Sequence, residues 1–253
     1  MSKYGKRVAW VTGGGSGIGE AGAEALAADG WIVVVSGRRK DALDAVVAKI
    51  TKTGGKAEAI ALDVSKADDV NKAAEQILGR HGRIDLLVNS AGVNVPKRSW
   101  ADMELEGWDK LVDINLNGVL YCMRAVLPAM RKQKDGIIIN VASWAGRHVS
   151  KMPGPAYTTT KHAVLALTHS FNMDECVNGL RACCLSPGEV ATPILKLRPV
   201  VPSEEEQARM LQSEDLGRTI AFVASMPARV CMNEILISPT WNRGFIQTPH
   251  SRD

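Results

Sequence analysis

The stretch RVAWVTGGGSGIGEAGAEALAA, residues 7–28, carries three patterns in succession. Residues 7–12 are a nearly continuous apolar run, as a strand buried on both faces should be. Residues 18–28 read as a helix. Between them lie Gly13, Gly14, Gly15, Ser16, Gly17, Ile18 and Gly19. Glycine lets the backbone turn sharply and approach a ligand with no Cβ in the way. The helix that follows aims its free N–H groups and the positive end of its dipole at that turn, which suits an anion. Strand, glycine turn and helix in this order form the phosphate end of a dinucleotide site, with Gly13, Gly15, Ser16, Gly17, Ile18 and Gly19 as candidate contacts. A literal GxGxxG also occurs at Gly17, Gly19 and Gly22, but its last glycine already lies within the helix. We read that match as accidental and take TGxxxGxG, from Thr12 to Gly19, as the informative pattern. The competing reading is a glycine-rich turn with no ligand.

The alternation begun there continues along the chain. Further strands are predicted over residues 31–36, 56–62, 84–89, 136–141, 180–185 and 234–237. Helices are predicted over 41–53, 67–80, 108–131, from Pro155 through Tyr157 and Lys161, over 204–212 and over 216–225. Strands alternating with helices imply βαβ units, and hence an α/β, Rossmann-type doubly wound parallel sheet of about seven strands with helices on both faces. No linker interrupts the pattern, so residues 1–253 are expected to form one domain. Pro193, Pro199 and Pro202 argue against regular structure in residues 192–202, and the region around 192–212 is the expected substrate lid. The tail after Pro239, with Trp241 and Phe245, either docks on a neighbouring subunit or closes the sheet edge.

Bulk properties narrow the function classes. The 253 residues carry a net charge of +4 with the basic residues scattered, so no nucleic-acid surface is expected. No apolar run is long enough to span a membrane, and the N-terminus lacks a signal core, so a cytoplasmic location is expected. Cys122, Cys176, Cys183, Cys184 and Cys231 form no CxxC or Cys/His cluster, so reduced thiols and no metal site are expected. Adjacent Cys183 and Cys184 should point to opposite faces of a strand.

The second strand ends in Ser36-Gly37-Arg38-Arg39. A site for NAD normally has an acidic residue here for the ribose 2′-OH. Arginine suits a 2′-phosphate instead, so NADP(H) is expected in preference to NAD(H), which remains the second choice. Asp63 and Val64, after the third strand, are candidates for the adenine edge. Farther on, Tyr157 and Lys161 are four residues apart and share a helix face. The lysine charge is expected to favour the phenolate and to lower the tyrosine pKa, fitting it to exchange a proton with an alcohol or ketone. Ser143, upstream, is placed to hold the same oxygen. The bland alternative is a surface tyrosine beside a surface lysine.

With these motifs in order, the chain resembles the short-chain dehydrogenases/reductases in their compact single-domain branch, from about Gly5 to Trp241. The likeness rests on TGGGSGIG at residues 12–19, on Asn89-Ser90-Ala91-Gly92 with Ser90 where the family has a second asparagine, and on Asn115 within DINLNG. It rests further on Ser143, Tyr157 and Lys161, and on Pro187-Gly188 followed by Thr192. The resemblance implies roles. Tyr157 would be the general acid/base, Lys161 would lower its pKa and bind the nicotinamide ribose, and Ser143 would bond the substrate oxygen. Asn115 would anchor a water in a proton relay. Gly13, Ser16, Ile18, Asn89, Ala91 and Gly92 would seat the cofactor, with Pro187 and Gly188 beside the nicotinamide. Val190 would hold the carboxamide, and Thr192 the carboxamide or pyrophosphate. A homotetramer, or a homodimer, is implied as well.

The expected activity is interconversion of a secondary alcohol and a ketone on a small hydroxy or keto compound. Val93–Val95, Trp144, His148, Met152, Glu189 and residues 192–211 can line the pocket, and Lys196 and Arg198 can pair with a carboxylate. One alternative is a cofactor-binding sensor or scaffold, which would tend to lose the tyrosine or lysine. Another is an epimerase or dehydratase, for which a larger C-terminal substrate domain would be expected.

Overall fold

The structure, a computed structural model, describes residues 6–245. Gly5, where the resemblance begins, and the tail beyond Phe245 lie outside the described residues. In chain order the elements are β1 (Val8–Thr12), α1 (Gly17–Ala28), β2 (Ile32–Gly37), α2 (Lys40–Lys52), β3 (Lys56–Ala61), α3 (Ala67–His81) and β4 (Leu86–Asn89). There follow α4 (Leu105–Val112), a π turn (Asp113–Asn117), α5 (Gly118–Gln133), β5 (Gly136–Val141), α6 (Pro155–Glu175) and β6 (Leu180–Pro187). The chain closes with β7 (Val190–Ala191), a 3₁₀ turn (Pro193–Leu197), α7 (Glu204–Ala208), β8 (Leu211–Gln212), α8 (Ser213–Ser225) and β9 (Glu234–Ile237).

Seven strands form one parallel sheet in the order β3-β2-β1-β4-β5-β6-β9. Its inner strands are buried on both faces, while the edge strands β3 and β9 are partly exposed, and side-chain alternation divides the buried residues between two cores. Val8 and Trp10 face one core, with Val70 and Ile77 of α3, Val126 of α5 and Val164 of α6. Ala9 and Val11 face the other, with Leu26 of α1, Leu43 of α2, and Leu216 and Ile220 of α8. Cys183 and Cys184 fall in opposite cores, as the strand period requires. Each buried Val, Leu or Ile contributes about 1.5–3 kcal/mol, so the helices are held chiefly by these apolar faces. Gly22 belongs to this packing: a Cβ there would lie 2.9 Å from Ile220 Cδ1 of α8. The third glycine of the literal GxGxxG thus lets two helices approach and does not face the glycine turn.

The strand order reverses between β1 and β4, and a crevice opens beyond their carboxyl ends, where ligands bind in open α/β sheets. Three expectations about local structure need correction. The helix expected over 108–131 is broken by the π turn, which inserts an extra residue around Asn115. The helix expected over 204–212 ends at Ala208, and Leu211–Gln212 instead pairs as a strand with Val190–Ala191. Residues 193–197 form a 3₁₀ turn in spite of the prolines, because Pro193 takes its first position, where no N–H is needed. The described part of the tail folds back: Arg243 pairs with Glu189 at 2.8 Å, and Phe245 meets Trp144 edge-on at 5.6 Å.

Candidate active site

At the crevice the glycine turn is pressed against the loop after β4. Gly13 has φ +66°, and a Cβ on it would stand 2.6 Å from Ala91 N. Thr12 Oγ1 accepts from Ala91 N at 3.5 Å, which ties the two loops together. A Cβ on Gly19 would meet Gly13 O at 2.3 Å, so the helix can start this close to the turn only with glycine there. Ser16, the N-cap of α1, is extended and makes no side-chain cap hydrogen bond, so it spends no side chain on the helix's free N–H groups. Beside it lies a cleft of about 140 Å³ lined by Gly13, Gly15, Ser16, Arg38, Arg39, Asp63, Val64, Ala91 and Gly92. A bare helix terminus, a turn lacking Cβ atoms and two exposed arginines at one cleft fit a phosphate-bearing dinucleotide. Asp63 engages one carboxylate oxygen with Ser65 N and Oγ, and these bonds hold its pKa below the usual range against the cost of burial.

The other predicted cofactor residues do not line this cleft and lie in neighbouring segments. Gly17, φ +57°, faces Thr192, whose Cγ2 would lie 3.2 Å from a Cβ there. Asn89 donates to Asn140 Oδ1 at 2.9 Å, while its own buried Oδ1 has no donor among the described residues. Ile18 is partly buried at the start of α1. Gly188 donates to Ile237 O at 2.7 Å, fixing the end of β6, where Pro187 sits, to the end of β9. Val190 is buried in β7.

Ser143, Tyr157, Lys161 and Asn115 come from three different segments, with Tyr157 and Lys161 both on α6. Ser143 follows β5, its Oγ accepting from Ala145 N at 3.2 Å, and Tyr157 lies in the first turn of α6, near enough for the serine hydroxyl to act on the phenol. Lys161, one turn on, is buried and donates to Val141 O at 2.9 Å. Its Nζ lies 5.6 Å from the Tyr157 ring centroid. A Cβ on Gly92 would sit 3.6 Å from both Lys161 Nζ and Asn115 Oδ1, so the lysine, the asparagine and the loop after β4 converge at one point. Asn115 clamps that loop: Val93 N donates to its Oδ1 and its Nδ2 donates to Val93 O, both at 2.9 Å.

The electrostatics overturn one expectation. Tyr157 is held above the ordinary tyrosine pKa, chiefly by burial. The nearby Ser143 hydroxyl and the charges of Arg198 and Arg98 pull it down by less, and Lys161 is not among the causes. The lysine is itself desolvated, and its pKa falls from 10.5 to about 8. The sequence places Lys161 beside Tyr157 but gives no measure of how deeply burial would weaken the ammonium. It also offered no sign of Arg98, which lies 45, 59 and 63 residues before Ser143, Tyr157 and Lys161 along the chain and in no motif.

Of the expected pocket residues, Trp144 stacks on His148 with centroids 4.4 Å apart. Glu189 pairs with Arg198 at 2.7 Å. Lys196 is exposed, whereas Arg198 is partly buried in this ion pair. Among the described residues no group of three or more His, Cys, Asp or Glu is placed to hold a metal ion, and no helix is long and apolar enough to cross a membrane.

Comparison with known proteins gives the same architecture. The model of the short chain dehydrogenase family matches residues 7–199. A 3-oxoacyl-[acyl-carrier-protein] reductase of Synechocystis sp. is 38% identical over 90% of this chain and 93% of its own. The structure of an alcohol dehydrogenase of Thermococcus sibiricus complexed with 5-hydroxy-NADP superimposes with a TM-score of 0.85 and 27% identity, over 94% of this chain and 98% of that one. A metagenomic short-chain oxidoreductase in complex with NADP gives 0.81 and 32%, over 92% and 97%.

Proposed function

The chain belongs to the short-chain dehydrogenase family, and from that premise we propose an NADP(H)-dependent oxidoreductase that interconverts a secondary alcohol and a ketone, with Tyr157 as general acid/base. The observation that carries this reading is the meeting of Ser143, Tyr157 and Lys161 above the crevice at which the strand order reverses. The bound nicotinamide would exchange hydride with the carbinol carbon. Ser143 donates to the substrate oxygen and to the charge that grows on it. Tyr157 supplies the proton for ketone reduction and takes it back in alcohol oxidation. Its raised pKa keeps it protonated at neutral pH, the form reduction requires.

Lys161, with its Nζ beside Gly92 and the Tyr157 ring, would hold a nicotinamide ribose, whose hydroxyls would add acceptors to the single carbonyl of Val141. Asn115 acts one step back, by fixing Val93 and with it the loop under the cofactor. Arg38 and Arg39 line the cleft at the end of β2 with no carboxylate beside them in sequence, which supports NADP(H) over NAD(H), as do the NADP complexes of the similar structures. Exposed Leu105, Met173 and Val177 on and beside α4 and α6 support a homo-oligomer.

A panel of ketones, hydroxy acids and sugars assayed with NADPH and NADH tests the reading. Turnover should favour NADPH, and Tyr157→Phe should lower kcat by about 10²–10⁴-fold while leaving cofactor affinity nearly intact. A variant that keeps most of its activity refutes Tyr157 as the acid/base. Tight cofactor binding without turnover of any member would favour the sensor or scaffold instead.

A further inference from the structure

Arg98 is only 8% exposed, yet it has no carboxylate within ion-pair distance among the described residues. It sits where three segments of the site meet. Its backbone and Cβ press on Gly154, the residue before α6; a Cβ on that glycine would lie 2.2 Å from Arg98 O. Its Nη2 donates to Leu197 O at the end of the 3₁₀ turn. The adjacent Nε is buried with no acceptor. Arg198 lies near enough to oppose its charge, and both guanidiniums act on Tyr157, which opens the same helix. Asp102 attracts Arg98 from beyond ion-pair range and is bonded to Ser99 N and Oγ, each at 2.6 Å. Around the site, Arg198 and Arg243 share Glu189, and Arg243 also reaches Glu206. Arg198 and Arg243 thus engage Glu189 and Glu206, which leaves the buried Arg98 with no carboxylate in contact and only Asp102 at a distance.

A buried charge without a counter-ion is costly, and a guanidinium edge presents two parallel donors that match the two oxygens of a carboxylate. The Leu197 carbonyl satisfies one donor of that edge and leaves the other unmet. The geometry points to Arg98 as the anchor for a substrate carboxylate, which makes the substrate of this site a short-chain hydroxy or keto acid. The carboxylate replaces the Leu197 carbonyl on Nη2 and reaches Nε as well, so its binding moves the 3₁₀ turn. This assignment rests on the alcohol–ketone reading above for the rest of the substrate. It adds the group by which an acid is told from a neutral ketone, with Arg198 reinforcing the field.

The test uses 2-hydroxybutanoate and 2-hydroxybutanamide, titrated by calorimetry into the NADPH-loaded enzyme, in which neither can react. The acid should bind at least about tenfold more tightly than the amide, the smaller end of what charge-assisted hydrogen bonds supply. Arg98→Met, which keeps the length of the stem, should bring the ratio close to one. Arg98→Lys, which keeps the charge and loses the fork, should fall between. Equal affinities in the unaltered enzyme, no binding of either probe, or an unchanged ratio in Arg98→Met overturns the assignment. Should Arg98→Met fail to fold by circular dichroism, the unaltered ratio and Arg98→Lys decide. Acid-selective binding together with the absence of turnover on every ketone would retain the anion site and sink the reaction instead.

Discussion

Replacing Lys161 by methionine should reveal how much folding free energy the buried ammonium costs. The lysine pKa is about 8 in the folded protein against 10.5 for the exposed side chain. At pH 7 both states are protonated, and the folded one bears the cost of a buried charge. The gap of about 2.5 pH units, at about 1.36 kcal/mol per unit, sets that cost near 3 kcal/mol. Between the two pKa values the unfolded chain holds a proton that the folded chain has released, so stability rises with pH across that window. By pH ~9.5 the residual cost is about 1.4 kcal/mol. The methionine also leaves Val141 O without its donor, a loss of about 1–3 kcal/mol that does not vary with pH. The measurable quantity is therefore the change in the stability difference between variant and parent. Urea denaturation of the cofactor-free proteins should show the variant losing about 2 kcal/mol relative to the parent between pH ~7 and ~9.5. A difference that stays constant to within about 0.5 kcal/mol would refute the claim that desolvation sets the state of this lysine.

Two further outcomes bear on the chemistry. Because Tyr157 is raised above its ordinary pKa, it stays protonated through neutral pH. Initial rates of ketone reduction should be flat from about pH 6 to 8, whereas alcohol oxidation, which needs the phenolate, should climb above about pH 8; an oxidation optimum below neutrality would contradict this. Arg38→Ala should raise the KM for NADPH by about 10–100-fold, the worth of charge-assisted bonds to a phosphate, and change that for NADH by less than about threefold; parallel losses for both cofactors would remove the 2′-phosphate role.

The parts legible in the sequence were those written in short-range pattern. The valine- and isoleucine-rich runs at 31–36 and 136–141 could hardly be anything but strands buried on both faces, and the observed sheet places them so. The glycine turn was equally readable, since Gly13 and Gly19 occupy positions that a Cβ would block. What escaped depends on tertiary contact. Leu211 and Gln212 carry no strand signal of their own and become a strand because Val190 and Ala191 offer an edge. The π turn around Asn115 shows no break in helical spacing; it is maintained by the clamp on Val93, 22 residues away. Arg98 lies outside every motif, and only burial beside Gly154 distinguishes it from the neighbouring exposed Lys97.

Thr192 leans on Gly17 at one end of a six-residue segment, and Leu197 holds Arg98 at the other. A pyrophosphate settling at the glycine turn and an acid settling on Arg98 therefore draw on the two ends of one short strap. Thermodynamic reciprocity then demands that whatever factor the dinucleotide gains from the acid, the acid gains from the dinucleotide. Selectivity toward the small molecule is in this way an attribute of the ternary complex, and affinities measured on the empty protein would differ from it by that factor.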